Sequence, residues 1–329
     1  AKPFFLHLAY HAPHYPIHSK EADTAKYIGK FMEGPSALRR QRFQRMIKMG
    51  SLPANATLSP DFAKMEQAWA RLSQKKKDYY DHVMAGYCGM IDNVDQNIGR
   101  LLQQLEEMGL RENTVILFSS DNGGCPEGGS GMWPGEKKER FGHRYDYSGF
   151  LGGPTTHIQV GEAWTNLSNT PLRKWKNTCH EGGLSSPFII NAPSLIKAPG
   201  TTSDAPIMVM DVMPTILDLA EVDYPSAYQG RELKPMRGVS LSNLLAGDTI
   251  DLSRSFHLFF KQNFTQINYP WKLIVSTSAG VEPELYHLGK DRAEMNNLAY
   301  QMPGKVRELE AEMMGWRNGL PLADKTKKN

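Results

Sequence analysis

Residues 114–124 read TVILFSSDNGG, and the interpretation of this stretch decides the fold class. Thr114–Ser119 is an unbroken β-branched and apolar run, ended abruptly by the polar turn Asp121-Asn122-Gly123-Gly124. A run of this kind marks a strand covered on both faces, as in the parallel sheet of an α/β domain. Upstream, Val83, Tyr87, Ile91, Val94, Ile98, Leu101, Leu105 and Met108 recur every three or four residues, which predicts a long amphipathic helix with Gly109 as its C-terminal stop. Downstream, Pro187–Asn191 (PFIIN) reads as a second buried strand. A helix follows, started by Asp211 as N-cap and carried by Val212, Met213, Ile216, Leu217 and Ala220. Near the start, Phe4–Tyr10 (FFLHLAY) reads as a short buried strand stopped by Ala12-Pro13-His14-Tyr15-Pro16. Helical pieces are expected at Pro35–Met49 and Pro60–Leu72.

Helix alternating with buried strand predicts an α/β fold with a mixed, mainly parallel sheet flanked by helices. From about residue 250 the pattern changes. Ser255–Phe260, Trp271–Thr277 and Glu284–Leu288 read as short strands and Pro303–Trp316 as a helix. The expected division is an α/β domain over residues 1–249 and a small α+β subdomain over 250–329.

Composition narrows the function classes. The 329 residues are 40% hydrophobic, enough for one large domain or two unequal ones. The net charge is only +3 and the basic residues are scattered; Lys75-Lys76-Lys77 falls in a helical pattern as a solvated face, and Lys325–Asn329 reads as a frayed tail, so no nucleic-acid partner is expected. Cys88, Cys125 and Cys179 form no C-x-x-C pair, which argues against a zinc knuckle or a disulfide scaffold. No apolar run approaches the roughly 20 residues of a transmembrane helix, and Ala1-Lys2-Pro3 does not open a signal-peptide layout. Sequons at Asn55, Asn166 and Asn263 are short patterns of little weight.

Four stretches carry candidate chemistry. Asp121 and Asn122 stand at the carboxyl end of the best strand, where open α/β sheets gather ligands. A carboxylate and an amide carbonyl suit Ca²⁺ or Mg²⁺, although the same residues also make an ordinary turn, and two donors do not complete a site that wants six or more. In SNTPLRKWKNTCHEGG (residues 168–183), Lys176 has the chemistry to bind an anionic group or a leaving oxygen, and His180 to act as acid or base; a solvated lysine and a surface histidine are the plainer alternatives. His7, His11, His14 and His18 crowd the start of the chain, but Pro13 and Pro16 break a helical His14–His18 pair and no Cys or carboxylate joins them. The excursion over residues 123–170 brings Trp133, His143, Tyr145, Tyr147, His157 and Trp164, either to recognise a substrate or to pack the loop on itself.

Taken in order, KPFFLHLAYHAPHYP, MIDNVDQNIGRLLQQLEEMGLRENTVILFSSDNGG, SNTPLRKWKNTCHEGG, VMDVMPTILDLAEV and WKLIVSTSAGVEPELYHLGKDRAEMNNLA resemble the successive signatures of the type I, formylglycine-dependent sulfatases of the alkaline phosphatase superfamily. The resemblance implies an alkaline-phosphatase-like α/β fold and hydrolysis of an aryl or carbohydrate sulfate. It implies Asp121 and Asn122 as ligands of a Ca²⁺ (Mg²⁺ being the alternative), Lys176 as the residue on a sulfate oxygen and the leaving group, and His14 as the contact from the opposite side; His180, near Lys176 in sequence, is added as a candidate substrate contact. By family habit the setting is periplasmic, lysosomal or extracellular. The sequence departs from the family pattern in three respects. The family's nucleophile arises in a C-x-P-x-R or S-x-P-x-R segment, whereas the cysteines here begin CGMID, CPEGG and CHEGG. The paired Asp ligands and the G-K-W-H-like segment that precede PFFLHLAYHAPH in the family are also missing. The expectation is that these residues correspond to the C-terminal portion of a longer sulfatase, inactive without its nucleophile. A phosphodiester or phosphonate ester as substrate, and a non-catalytic product that binds sulfated glycan, are the alternatives.

Overall fold

The computed structural model describes residues 3–60, 64–127, 131–140, 142–248 and 253–319. Regular structure begins with three short or medium helices, α1 (Glu21–Ala25), α2 (Pro35–Lys48) and α3 (Met65–Ala70). The apolar stripe then forms α4 (Gln74–Glu107), longer than its spacing predicts because the polar turn Gln74–Tyr79 continues the helix. Gly109 closes it as expected, at φ +67°. Its amide donates to Glu106 O and that of Leu110 to Leu105 O, both at 2.9 Å, which satisfies the last carbonyls in a Schellman arrangement. The helix buries Tyr80, Val83, Met84 and Met90 against Ile17, Trp69, Ile158 and Trp164, whereas of the expected stripe only Val83 and Leu105 are buried and Ile91 and Met108 are exposed. Trp69 meets Trp164 edge-on at 5.6 Å and Tyr80 stacks on Trp133 at 5.3 Å, so both tryptophans of the excursion are core residues.

Beyond α4 lies β1 (Ile116–Ser119), followed by an irregular excursion holding four two-residue strands. Among these, β2 (Gly135–Glu136) pairs with β5 (Ile158–Gln159), and β3 (Glu139–Arg140) with β4 (His143–Arg144). Two short helices, α5 (Glu162–Ser168) and α6 (Glu181–Leu184), lead to β6 (Phe188–Asn191). Then come α7 (Val212–Leu219), a small hairpin of β7 (Ala227–Tyr228) and β8 (Arg231–Glu232), and α8 (Ser242–Leu245).

Four expectations require correction here. β1 and β6 are the strands expected from TVILFS and PFIIN, but they pair antiparallel, with Ile116 opposite Asn191 and Ser119 opposite Phe188. Every strand pair among the described residues is antiparallel, so the mainly parallel sheet is not found there. An apolar run reports burial and carries no information on strand direction. Nor are both faces covered: Phe118 is 43% and Ile189 57% exposed. Phe4–Tyr10 forms no strand, and Phe4, Phe5, Leu6, Leu8 and Tyr10 are exposed. A strand needs a neighbour for its N–H and C=O groups, and no described strand lies alongside this segment. Asp211 does sit before α7, but its carboxylate does not cap it. It accepts instead from the amides of Met208 (2.8 Å) and Val239 (2.9 Å) and pairs with Arg254 Nη2 at 2.7 Å.

The C-terminal region follows the sequence reading with one addition. β9 (Ser255–Phe260), β10 (Asn263–Asn268), β11 (Trp271–Ser276) and β12 (Glu284–His287) form an antiparallel sheet in the order β12-β11-β10-β9. β10 was not expected, because NFTQIN is mostly polar; it is nonetheless a central strand, with Thr265 and Gln266 fully buried. Strand alternation gives the sheet two unlike faces. Leu273 and Leu285 pack on Val306 and Leu309 of α9 (Pro303–Asn318). Ile274 and Tyr286 turn the other way and pack on Cys179. The expected boundary at 249/250 and the tail Lys325–Asn329 lie outside the described residues. No helix among those residues is long and apolar enough to cross a membrane.

Candidate active site

The site forms where the turn after β1 meets the loop between α5 and α6. Gly123 N donates to Gly183 O (3.2 Å) and Lys176 N to Gly124 O (3.0 Å). The two backbones touch so closely that a Cβ on Gly123 would lie 1.7 Å from Gly182 O, and one on Gly182 would lie 2.2 Å from Lys174 O. These glycines are therefore needed for close approach, beyond any freedom to turn.

Asn169 fastens the junction, and sequence reasoning assigned it no role. Its Oδ1 accepts from Gly124 N, while Nδ2 donates to Lys174 O and Gly182 O, each at 2.9 Å. Nothing in SNTP distinguishes such an asparagine from a turn residue. Asn169→Ala would leave one amide and two carbonyls without their partner, so an expected loss of about 1–3 kcal/mol in urea unfolding follows. A loss under half a kilocalorie, roughly the range of an uninvolved surface site, would count against this role.

His14 and Lys176, which are 162 residues apart, are brought together with Lys176 Nζ 3.2 Å from His14 Nε2. His14 Nδ1 lies 2.7 Å from the Tyr15 carbonyl, which can only accept, so the proton is on Nδ1. Nε2 then offers its lone pair to the lysine ammonium, the arrangement that goes with a neutral ring. Lys174 (φ +65°) and Asn177 (φ +70°) flank Lys176 in the left-handed region. Tyr15 stacks beside His14 at 4.4 Å between ring centroids; burial, then a hydrogen bond to Glu127, pushes its phenol up. Burial also pushes the nearby Cys125 thiol up, which opposes a thiolate role.

Asp121 is exposed, with no hydrogen bond or ion pair to the described residues. Asn122 Nδ2 donates to Gly123 O at 2.8 Å, which leaves its Oδ1 as an acceptor. The pair is a partial set of hard donors that fits a divalent cation; no group of three or more His, Cys, Asp and Glu able to hold a metal occurs among the described residues. His180 is drawn elsewhere. Its Nε2 lies 2.9 Å from Glu284 of β12, and it makes no hydrogen bond to His14 or Lys176. The other aromatics of the excursion divide: Tyr147 bonds the Lys137 carbonyl, Tyr145 rests 5.0 Å from the buried His157, and His143 is exposed.

The family model described as Sulfatase matches residues 1–222. The chain belongs to the sulfatase family. A second model, described as N-sulphoglucosamine sulphohydrolase, C-terminal, matches residues 175–317. An uncharacterized sulfatase of Schizosaccharomyces pombe is 32% identical over 314 residues, covering 94% of this chain and 56% of the relative. An arylsulfatase of Klebsiella aerogenes is 30% identical over 245 residues, covering 73% and 51%. The chain thus spans about half the length of these relatives. The solved structure of Ps i-CgsB in complex with k-i-k-neocarrahexaose matches with a TM-score of 0.57 at 19% identity, covering 95% of this chain and 50% of that one. That match shows the alkaline-phosphatase-like fold for this chain. Family membership also implies a divalent metal cofactor.

Proposed function

We propose that His14, Lys176, Asp121 and Asn122 serve the hydrolysis of a sulfuric ester, an aryl or carbohydrate sulfate, in the full-length protein. The observation that carries this reading is the 3.2 Å contact between Lys176 Nζ and His14 Nε2 beside the Asp121-Asn122 turn. Sulfate ester cleavage leaves negative charge on the peripheral oxygens and on the departing oxygen, so it calls for fixed cationic donors. Lys176 has three N–H donors; His14 orients one and two remain for the ester. Its ammonium stabilises the departing alkoxide or phenoxide by hydrogen bonding, and the tautomer fixed by the Tyr15 carbonyl keeps His14 as the acceptor that aims it. Asp121 and Asn122 Oδ1 would hold a Ca²⁺, with Mg²⁺ the alternative, and the bound cation supplies Lewis-acid polarisation of a sulfate oxygen. The arylsulfatase likeness and the sulphoglucosamine model support a sulfated aromatic or sugar as the substrate class.

The experiment is a comparison of matched 4-nitrophenyl sulfate and 4-nitrophenyl phosphate esters with the full-length protein, before and after chelation. Sulfate release is expected to exceed phosphate release, to fall on chelation and to return with Ca²⁺. Faster phosphate release would move the activity to the phosphoester branch. Sulfate release that persists in chelator would remove Asp121 and Asn122 from the proposal.

A further inference from the structure

We infer that Glu284, Lys272 and Glu294 of the C-terminal region are positioning residues for Lys176, which makes the C-terminal sheet a working part of the site; the inference rests on the role proposed for Lys176. The loop Arg173–Glu181 carries that lysine between two non-glycine residues in the left-handed region, Lys174 and Asn177. Such backbone persists only where its surroundings over-determine it. Asn169 Nδ2 donating to Lys174 O and Lys176 N donating to Gly124 O hold one side of the loop. The sheet grips the other side at both ends.

At the first end, Arg173 Nη1 donates to Tyr286 Oη (2.8 Å) and to the Glu294 carbonyl (3.2 Å). At the second, the Glu181 amide donates to Glu294 Oε2 (2.8 Å), so a single residue of the C-terminal region, itself at φ +56°, clasps both ends. Lys272 is fully buried and pairs with Glu181 (2.9 Å) and Glu294 (2.8 Å), while Arg292 pairs with the second Glu181 oxygen at 2.8 Å. His180 is tied to Glu284 Oε2, which also accepts from Tyr286. Burial would raise the Glu284 carboxyl, but those hydrogen bonds and the Arg173 charge draw it down to about 2, so this acceptor stays ionised through the neutral range. Seven of the nine loop residues lie between Arg173 and Glu181, and Lys176 is among them. Ion pairs this deeply buried are costly to desolvate and are a poor means of adding stability alone.

The test uses the full-length protein with Glu284→Ala, the conservative Glu284→Gln and a control, Leu285→Val. Leu285 lies on the same strand but faces α9, so its variant weakens the sheet without touching the loop. In Glu284→Ala, amide exchange in residues 173–184 is expected to accelerate about tenfold or more, with Ile116–Ser119 unchanged. kcat on 4-nitrophenyl sulfate is expected to fall about tenfold with KM within about threefold, because the lysine is misplaced while binding is largely kept. Glu284→Gln keeps an acceptor oxygen at the same reach and is expected to recover most of both changes; Leu285→Val is expected to show neither. Unchanged exchange, faster exchange at parental kcat, or an equal kcat loss in Leu285→Val would each overturn the inference. If the parent turns over no sulfate ester, the proposed activity fails, and the exchange measurement still decides whether the sheet holds the loop.

Discussion

Lys176→Ala is expected to lower kcat on 4-nitrophenyl sulfate by about 10²–10³-fold, the usual cost of losing one donor aimed at developing negative charge. The alanine removes the ammonium that faces His14 Nε2 and leaves the loop backbone, including the Lys176 N–Gly124 O bond, able to form. The damage should therefore fall on the chemical step. Lys176→Arg keeps the charge but is expected to restore little, since a planar guanidinium fork cannot take the place of a compact ammonium held 3.2 Å from one imidazole nitrogen. His14→Ala offers a comparison within the same pair: it removes the acceptor that aims the lysine and leaves the lysine charge in place, so its loss should be smaller than that of Lys176→Ala. Steady-state kinetics on the full-length variants reads all three. Near-parental kcat for Lys176→Ala would take the lysine out of the reaction.

Residue type and order singled out the candidate site residues, whereas the geometry that brings His14 to Lys176 was not legible. Asp121 and Asn122 follow a strand whose composition announces it, and that strand, Ile116–Ser119, is present. Its direction was misread because apolar runs encode burial, and antiparallel pairing with Phe188–Asn191 depends on how the chain returns. β10 went unseen for the opposite reason: NFTQIN carries buried Thr265 and Gln266 in a central strand, where neighbouring strands on both sides override a polar composition. Asn169 and Lys272 were invisible for a third reason. Each acts through partners distant in sequence (Gly124 and Gly182 for the asparagine, Glu181 and Glu294 for the lysine), and no local pattern announces a tertiary hydrogen bond. His180 shows the same limit, since its place beside Lys176 in sequence gave no sign that it would turn to Glu284.

Lys272 carries the largest expected effect on stability. Lys272→Met keeps much of the volume and removes the charge, leaving the Glu181 and Glu294 carboxylates together in the interior with Arg292 as the remaining cation. Breaking a buried pair from one side costs about 3–5 kcal/mol, and urea unfolding at neutral pH is expected to show a loss of that size. The pH dependence separates a charge effect from a packing effect. In the parent, burial works to raise the Glu181 carboxyl, but the Lys272 and Arg292 charges hold it below its ordinary value. Its stabilisation is present above the unfolded pKa and is lost as pH falls through the folded one. Burial leaves Glu294 raised despite Lys272, so its contribution runs the other way, present at low pH and declining as pH rises through its folded pKa. Removing the ammonium moves both folded pKa values upward. The variant must then ionise two poorly compensated carboxylates at neutral pH, whereas in acid at least one binds a proton and the penalty relaxes. The difference in unfolding free energy between parent and variant is therefore expected to narrow between about pH 7.5 and about pH 5. A difference that stays constant over that window would assign the loss to the packing of methionine, and the buried charge would no longer explain why a lysine occupies the centre of this junction.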